Sequence, residues 1–105
     1  EAGTSAPHRE ALRSPAARRT TITRAFSGRP ARGIVNRFTD AFEALAPAPF
    51  PQQQSLTADL RAAATKQGRA DLMQLWAGQG APLLRQMPAA ELVRTLAREA
   101  GLPGR

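Results

Sequence analysis

Apolar positions along the 105-residue chain fall into short stretches separated by polar and proline-rich segments, with no internal repeat. Residues 1–7 are small and polar and read as a loop. HREALRS (8–14) makes about two helical turns, which Pro15 ends because proline restricts the residue before it and cannot donate to a helix. TTITRAF (20–26) is β-branched and alternates Thr21, Thr23 and Ala25 against Ile22, Arg24 and Phe26, so it is the one stretch that predicts a strand. Ser27-Gly28-Arg29-Pro30 punctuates its end. Over 31–46, Ile34, Val35, Phe38, Phe42 and Leu45 fall at helical spacing, opposite Arg37, Asp40 and Glu43, and predict an amphipathic helix.

The second half of the chain predicts more helices. APAPFPQQQ (46–54) carries three alternating prolines and reads as an extended, polyproline-like connector. Thr57 has the chemistry of an N-cap, with Asp59 in the first turn; Leu56, Leu60 and Ala64 give that helix a thin apolar face, and Gly68 ends it. A short helix is expected over 70–77, with Leu72, Met73, Leu75 and Trp76. Leu83 and Leu84 open a further turn that stops at Met87-Pro88. The last helix has Pro88 near its start, Gly101 at its end, and a stripe of Leu92, Val93, Leu96, Ala97 and Ala100.

Composition changes what these elements mean. There are 22 Ala but only 19 Leu, Ile, Val and Phe in 105 residues, about 18%, below the level of roughly 20% under which a packed core becomes doubtful. A large self-sufficient core is ruled out. A lone strand forms no sheet, so the surface on which the 31–46 helix docks through Ile34, Val35, Phe38 and Phe42 is expected to lie outside this chain. Residue 1 is Glu and not Met, and the chain reads as cut from a longer protein. No run of about 18 apolar residues is present to span a membrane. No charged start followed by an apolar stretch marks a signal peptide, so the expected location is the cytoplasm. With no cysteine and one histidine, disulfides, cysteine or His-cluster metal sites and iron–sulfur centres are excluded.

The net charge of +7 raises the question of a small basic nucleic-acid-binding protein. The arginines are dispersed, only Arg18-Arg19 being adjacent in the first forty residues, and aromatics do not interleave with them for base stacking. High Ala, Arg, Pro and Gly with Lys66 as the one lysine is also what a GC-rich genome encodes. No nucleic-acid partner is therefore expected.

Few catalytic constellations are available. His8 lies on a short terminal helix with no nucleophile elbow anywhere, and reads as a surface histidine. The chain has no GxGxxG or Walker pattern. Two glycine-containing segments remain. AFSGRPARGIVNRF (25–38) offers Arg29 and Arg32 as planar forks for an anion, against the plainer reading of a connection with solvated arginines. LWAGQG (75–80) sets an indole beside two glycines and an amide, which suits a flat heteroaromatic ligand, against the plainer reading of a helix stop with a core tryptophan.

AFSGRPARGIVNRF followed by LWAGQG, together with the opening EAGTSAPHREALRSP, resembles the C-terminal portion of bacterial nitronate monooxygenases, formerly 2-nitropropane dioxygenases. FMN-dependent enoyl-acyl-carrier-protein reductases share a similar SGR region, and that activity or NADH:quinone reduction is the alternative within the same class. The resemblance implies an α/β protein: a C-terminal fragment of an FMN-binding (β/α)₈ TIM barrel with a smaller added segment. This chain would be mainly helical with one or two strands, and residues 1–105 would be an incomplete part of that barrel domain with no separate second domain. It implies oxidation of an alkyl nitronate by O₂ to a carbonyl compound and nitrite. An electron would reach oxygen through the flavin from a nitronate-derived radical pair, with no metal. The family's catalytic histidine and its FMN-phosphate glycines have no counterpart here; His8 does not match. A complete enzyme would need roughly 300 residues or more, so this chain alone is expected to be inactive. Trp76, Gly78 and Gln79 carry over as the FMN- or substrate-facing positions, and Ser27, Gly28 and Arg29 as weaker ones.

Overall fold

A computed structural model describes residues 2–103 of the chain. Pro7 sits in the first turn of α1 (Ala6–Arg13), and Pro15 follows its end, opening a 3₁₀ turn over Pro15–Arg18. Next come β1 (Thr20–Thr23), β2 (Ala31–Ile34), α2 (Arg37–Phe42), α3 (Gln52–Lys66) and α4 (Ala89–Glu99), with 3₁₀ turns at Ala70–Leu72 and Ala81–Leu83.

The helix expected over 31–46 is divided. Its first part is β2, which pairs antiparallel with β1 in the register Thr20↔Ile34 to Thr23↔Ala31. Ile34 and Phe38 fit a helical stripe equally well, but the pairing partner in β1 and the β-branched Ile34-Val35 pair favour extended backbone. Asn36 then restarts the chain as an N-cap: its side chain accepts from the Thr39 N–H, and the Thr39 hydroxyl accepts from the Asn36 N–H, at 3.1 and 2.9 Å. The strand is therefore not alone. It belongs to a hairpin whose turn is closed by Gly28 at φ +94°, where an added Cβ would lie 2.6–2.8 Å from backbone atoms of Ala48, Pro49 and Phe50.

The helix expected over 70–77 is also replaced. One 3₁₀ turn is followed by extended chain, which lies beside β2. Ile34 N–H donates to the Leu75 carbonyl (2.9 Å) and Ala77 N–H to the Arg32 carbonyl (3.2 Å), around a bridge between Gly33 and Trp76.

α3 begins at Gln52, five residues before the expected Thr57 cap, because the glutamines that follow Pro51 are good helix formers. Thr57 lies buried in its second turn and donates to the Phe26 carbonyl at 2.6 Å. Gln53, one turn earlier, donates to the Ala25 carbonyl at 2.7 Å and accepts from the Ala48 N–H at 3.0 Å. The docking face of α3 is thus polar at Gln53 and Thr57, ending on the buried Ala64. Of the three apolar residues expected on its face, Ala64 docks, while Leu56 is 72% exposed and Leu60 41%.

The core consists of two small clusters. Ala17, Ile34, Ala64, Met73 and Leu75 form one. Ala25, Phe26 and Phe38 form the other, with Trp76 packed against it. Ile34 and Phe38, expected to dock outside the chain, are each 2% exposed within it. Phe42 and Val35 are less covered, Phe42 being exposed and Val35 half-buried. α4 buries no residue; Val93 and Leu96 of its stripe are exposed, and an exposed Arg85–Glu99 fork ties its last turn to the linker before it. No helix is long and apolar enough to cross a membrane, and no group of His, Cys, Asp or Glu among the described residues has the makings of a metal site.

Candidate functional site

LWAGQG is built onto the hairpin by its first half and released from it by the second. The Leu75 side chain enters the core, and Trp76 takes up the bridge to Gly33. A Cβ on Gly33 would approach the Leu75 carbonyl oxygen to 3.0 Å and Trp76 Cε3 to 3.1 Å, so the bare backbone at Gly33 lets the indole lie across the strand. The indole meets Phe26 edge-on at 5.5 Å between ring centroids, and Phe26 stacks on Phe38 at 4.3 Å. Trp76 is half-buried, with its ring set between Gly33 and Phe26.

Two further residues hold this segment. Asn36 Nδ2 donates to the Ala70 and Met73 carbonyls at 3.1 and 2.7 Å, so one side chain both caps α2 and clamps the turn that leads into Leu75. His8 Nε2 lies 3.0 Å from the Trp76 carbonyl oxygen. The histidine is half-buried and not the free surface residue expected; it ties α1 to the back of the tryptophan strand. Sequence reading missed Asn36, although the N-x-x-T spacing before an apolar run signals a cap. The clamp on Ala70 and Met73, more than thirty residues away, leaves no local signal.

After Trp76 the chain leaves the core. Gly78, Gln79 and Gly80 are exposed, and a Cβ on either glycine would meet open space. Gln79 stands at the edge of a groove of about 730 Å³ between β1 and α2. Trp76, Gly78 and Gln79 are therefore close along the chain, but the indole packs on the aromatic cluster while Gln79 lines the groove. Ser27, Gly28 and Arg29 form the hairpin turn: Ser27 Oγ accepts from the Arg29 N–H at 3.3 Å, and the Arg29 guanidinium lies 3.9 Å over the Phe50 ring. Arg32 donates to Thr20 Oγ1 across the hairpin at 3.0 Å. Neither arginine of the proposed anion fork stands free of a neighbour.

Charge perturbation lies elsewhere. The Arg69 guanidinium hydrogen-bonds Asp71 through both carboxylate oxygens, at 2.9 and 2.8 Å, and holds its carboxyl below the ordinary range. The Arg85 fork does the same to Glu99. Both pairs are exposed, which marks them as surface ties and not as catalytic acids.

Comparison with known proteins bears on the whole chain. The family model described as nitronate monooxygenase matches residues 1–99. A nitronate monooxygenase of Pseudomonas aeruginosa is 46% identical over 102 residues, covering 94% of this chain and 29% of the relative. One of Paraburkholderia phytofirmans is 47% identical over 96 residues, covering 88% and 26%. The crystal structure of nitroalkane oxidase from Streptomyces ansochromogenes superposes with a TM-score of 0.89 at 49% identity, over 94% of this chain and 29% of that one. The chain spans less than a third of the length of the relatives it matches. On a match of this extent, the chain belongs to the nitronate monooxygenase family.

Proposed function

We propose that this chain is the C-terminal part of a flavin-dependent enzyme that oxidises alkyl nitronates with O₂ to a carbonyl compound and nitrite, and that it is inactive without the remainder. The observation that carries this reading is the family match over residues 1–99 in a chain that covers only 29% of its relative. An antiparallel hairpin is no βαβ unit. In this reading, β1, β2 and the Leu75–Ala77 strand belong to the segment added to the barrel, beside its mouth, and not to the barrel wall. The exposed Leu56, Leu60, Val93 and Leu96 would lie against the rest of the enzyme.

The residues present fit one edge of an FMN site and no more. The half-buried Trp76 is held edge-on to Phe26 and would offer the uncovered part of its indole as an aromatic wall, Gly78 leaves room for close backbone approach, and the exposed Gln79 amide offers a donor and an acceptor. The contacts to the FMN phosphate would come from outside this chain. When bound, the flavin supplies the redox chemistry between nitronate and oxygen. This chain's part is to wall the pocket, orient the ligand and limit the access of water.

The test is Gln79→Ala in the full-length protein, with FMN affinity, kcat/KM for propyl-2-nitronate and thermal unfolding measured together. A pocket amide costs about 0.5–3 kcal/mol in binding or transition-state stabilisation and leaves Tm in place. Unchanged flavin affinity and unchanged kcat/KM remove Gln79 from the site. Nitrite release, measured against NADH consumption, separates the activity from enoyl or quinone reduction.

A further inference from the structure

The groove beside Gln79 has a charged wall that the reading above does not use. It runs between β1 and α2, and Arg18, Arg19 and Arg24 line its β1 side. None of these three guanidiniums donates a hydrogen bond to, or pairs with, another described residue. Several other arginines are engaged: Arg32 binds Thr20, Arg61 binds Thr57 and the Gln54 carbonyl, and Arg69 and Arg85 each fork onto a carboxylate, whereas Arg37 and Arg94, outside the groove, have no side-chain hydrogen bond or ion pair with another described residue. Three exposed arginines without a side-chain partner therefore line one concavity, Arg18 at its border with a neighbouring one. The half-buried Thr21 and Thr23 lie among them.

The opposite wall differs in sign. Asp40 and Glu43 stand on and just after α2, where Val35 and Phe42 add apolar surface to a mostly polar lining. An anion in the groove is drawn to the β1 side and repelled from the α2 side. Gln79 lies on the rim of the same volume.

A nitronate is a planar anion with two oxygens on nitrogen, close in shape and charge to a carboxylate, and a guanidinium presents the matching planar fork. Its conjugate nitroalkane keeps the two oxygens on nitrogen but has a tetrahedral α-carbon and no net charge. We propose that the Arg18–Arg19–Arg24 wall is an oxyanion-gathering surface that selects the nitronate over the neutral nitroalkane and delivers it toward Gln79. The identity of the anion rests on the proposed function; the oxyanion preference rests on the groove alone. Exposed charges act chiefly on encounter, which the excess of positive charge on the β1 side accelerates and which salt screens.

The experiment has two arms. In the 105-residue chain, amide and arginine side-chain NMR signals are followed during titration with propionate, propyl-2-nitronate and 2-nitropropane. Saturable shifts confined to residues 18–25 and Gln79, caused by both anions and not by the neutral compound, support the proposal. Shifts spread evenly over all arginines, or equal shifts with 2-nitropropane, overturn it. In the full-length enzyme, R18Q/R19Q/R24Q is expected to lower kcat/KM for propyl-2-nitronate about tenfold at low ionic strength. The loss should shrink as salt is added, and kcat at saturation should be preserved. R94Q/R98Q on α4 is expected to leave kcat/KM in place, since those charges lie outside the groove. An equal effect of the two variants reduces the result to net charge and overturns the proposal, as does a triple variant that folds normally with kcat/KM unchanged at low salt. If propionate binds at residues 18–25 while the full-length protein releases no nitrite, the oxyanion surface stands and nitronate as its occupant falls, together with the function proposed above.

Discussion

α2 and α4 have similar amphipathic patterns and opposite fates. α2 has six residues and buries Phe38 and Thr39. α4 has eleven and buries none, leaving Val93 66% exposed. Periodicity alone would rank them the other way, since the longer helix has the cleaner stripe. What separates them is supply of neighbours. α2 follows directly from a hairpin, is capped by Asn36, and places Phe38 against Phe26, which α3 in turn holds through Thr57. α4 follows a linker and has an ion-pair fork as its described tie to it. The hairpin half of this chain is an autonomous cluster built from few residues, whereas the outer faces of α3 and α4 are apolar surface with no use inside the chain.

The largest expected effect lies where the autonomous half is densest. Phe38→Ala removes a stacked, 2% exposed ring and is expected to cost about 3–5 kcal/mol in urea unfolding of the 105-residue chain. A loss seen in the full-length protein and absent from this chain breaks the comparison, because it would mean that the hairpin half does not hold its own core. Asn36→Ala comes next. It frees the carbonyls of Ala70 and Met73 and uncaps α2, and the expected cost is about 1–3 kcal/mol by the same assay. Gly33→Ala presses a methyl on Leu75 and Trp76 and is expected to destabilise by about 1–3 kcal/mol, with a shift in tryptophan fluorescence that reports the displaced indole.

How much of this was legible in the sequence follows the same division. α1 and its Pro15 stop, the hairpin's first strand as far as Thr23, the Gly28 turn, and α4 from Pro88 to Gly101 all rest on local chemistry that a single segment carries, whereas residues 24–26, expected to continue the strand, leave it, and Ala25 and Phe26 turn into the core. β2 and the Leu75–Ala77 strand were hidden because their extended state comes from pairing across the chain, and Ile34 with Phe38 satisfies a helical stripe just as well. α3 misled for another reason. Its docking residues are Gln53 and Thr57, which serve carbonyls of the hairpin end, so the polar side faces inward. Of the candidate site, LWAGQG was legible as a motif; Gly33, Asn36 and His8, which hold it, act over distances that no spacing shows.

Smaller effects sharpen the outer side of the comparison. Val93→Ser and Leu96→Ser are expected to change the stability of this chain by less than about 0.5 kcal/mol, as at exposed positions generally. The same substitutions should lower the Tm of the full-length protein if that face is covered there. Acid has a small effect of definite sign. Arg69 lowers Asp71, and Arg85 lowers Glu99, so these pairs stabilise the fold above the ordinary carboxylate range of about 4 and lose that contribution as pH falls through the lowered values. Circular dichroism should show part of α4 loosening in that window, and Glu99→Gln should remove the pH dependence at α4 alone.

Amide hydrogen exchange on the 105-residue chain tests the central claim most directly, because it reads both regions in one sample. The amides of Ile34, Val35 and Ala77, which bond across the hairpin and its added strand, are expected to exchange slowest and together. Those of α4 are expected to exchange close to the unfolded rate. Protection of α4 equal to that of Ile34 would contradict the account, as would exchange of the whole chain at the unfolded rate.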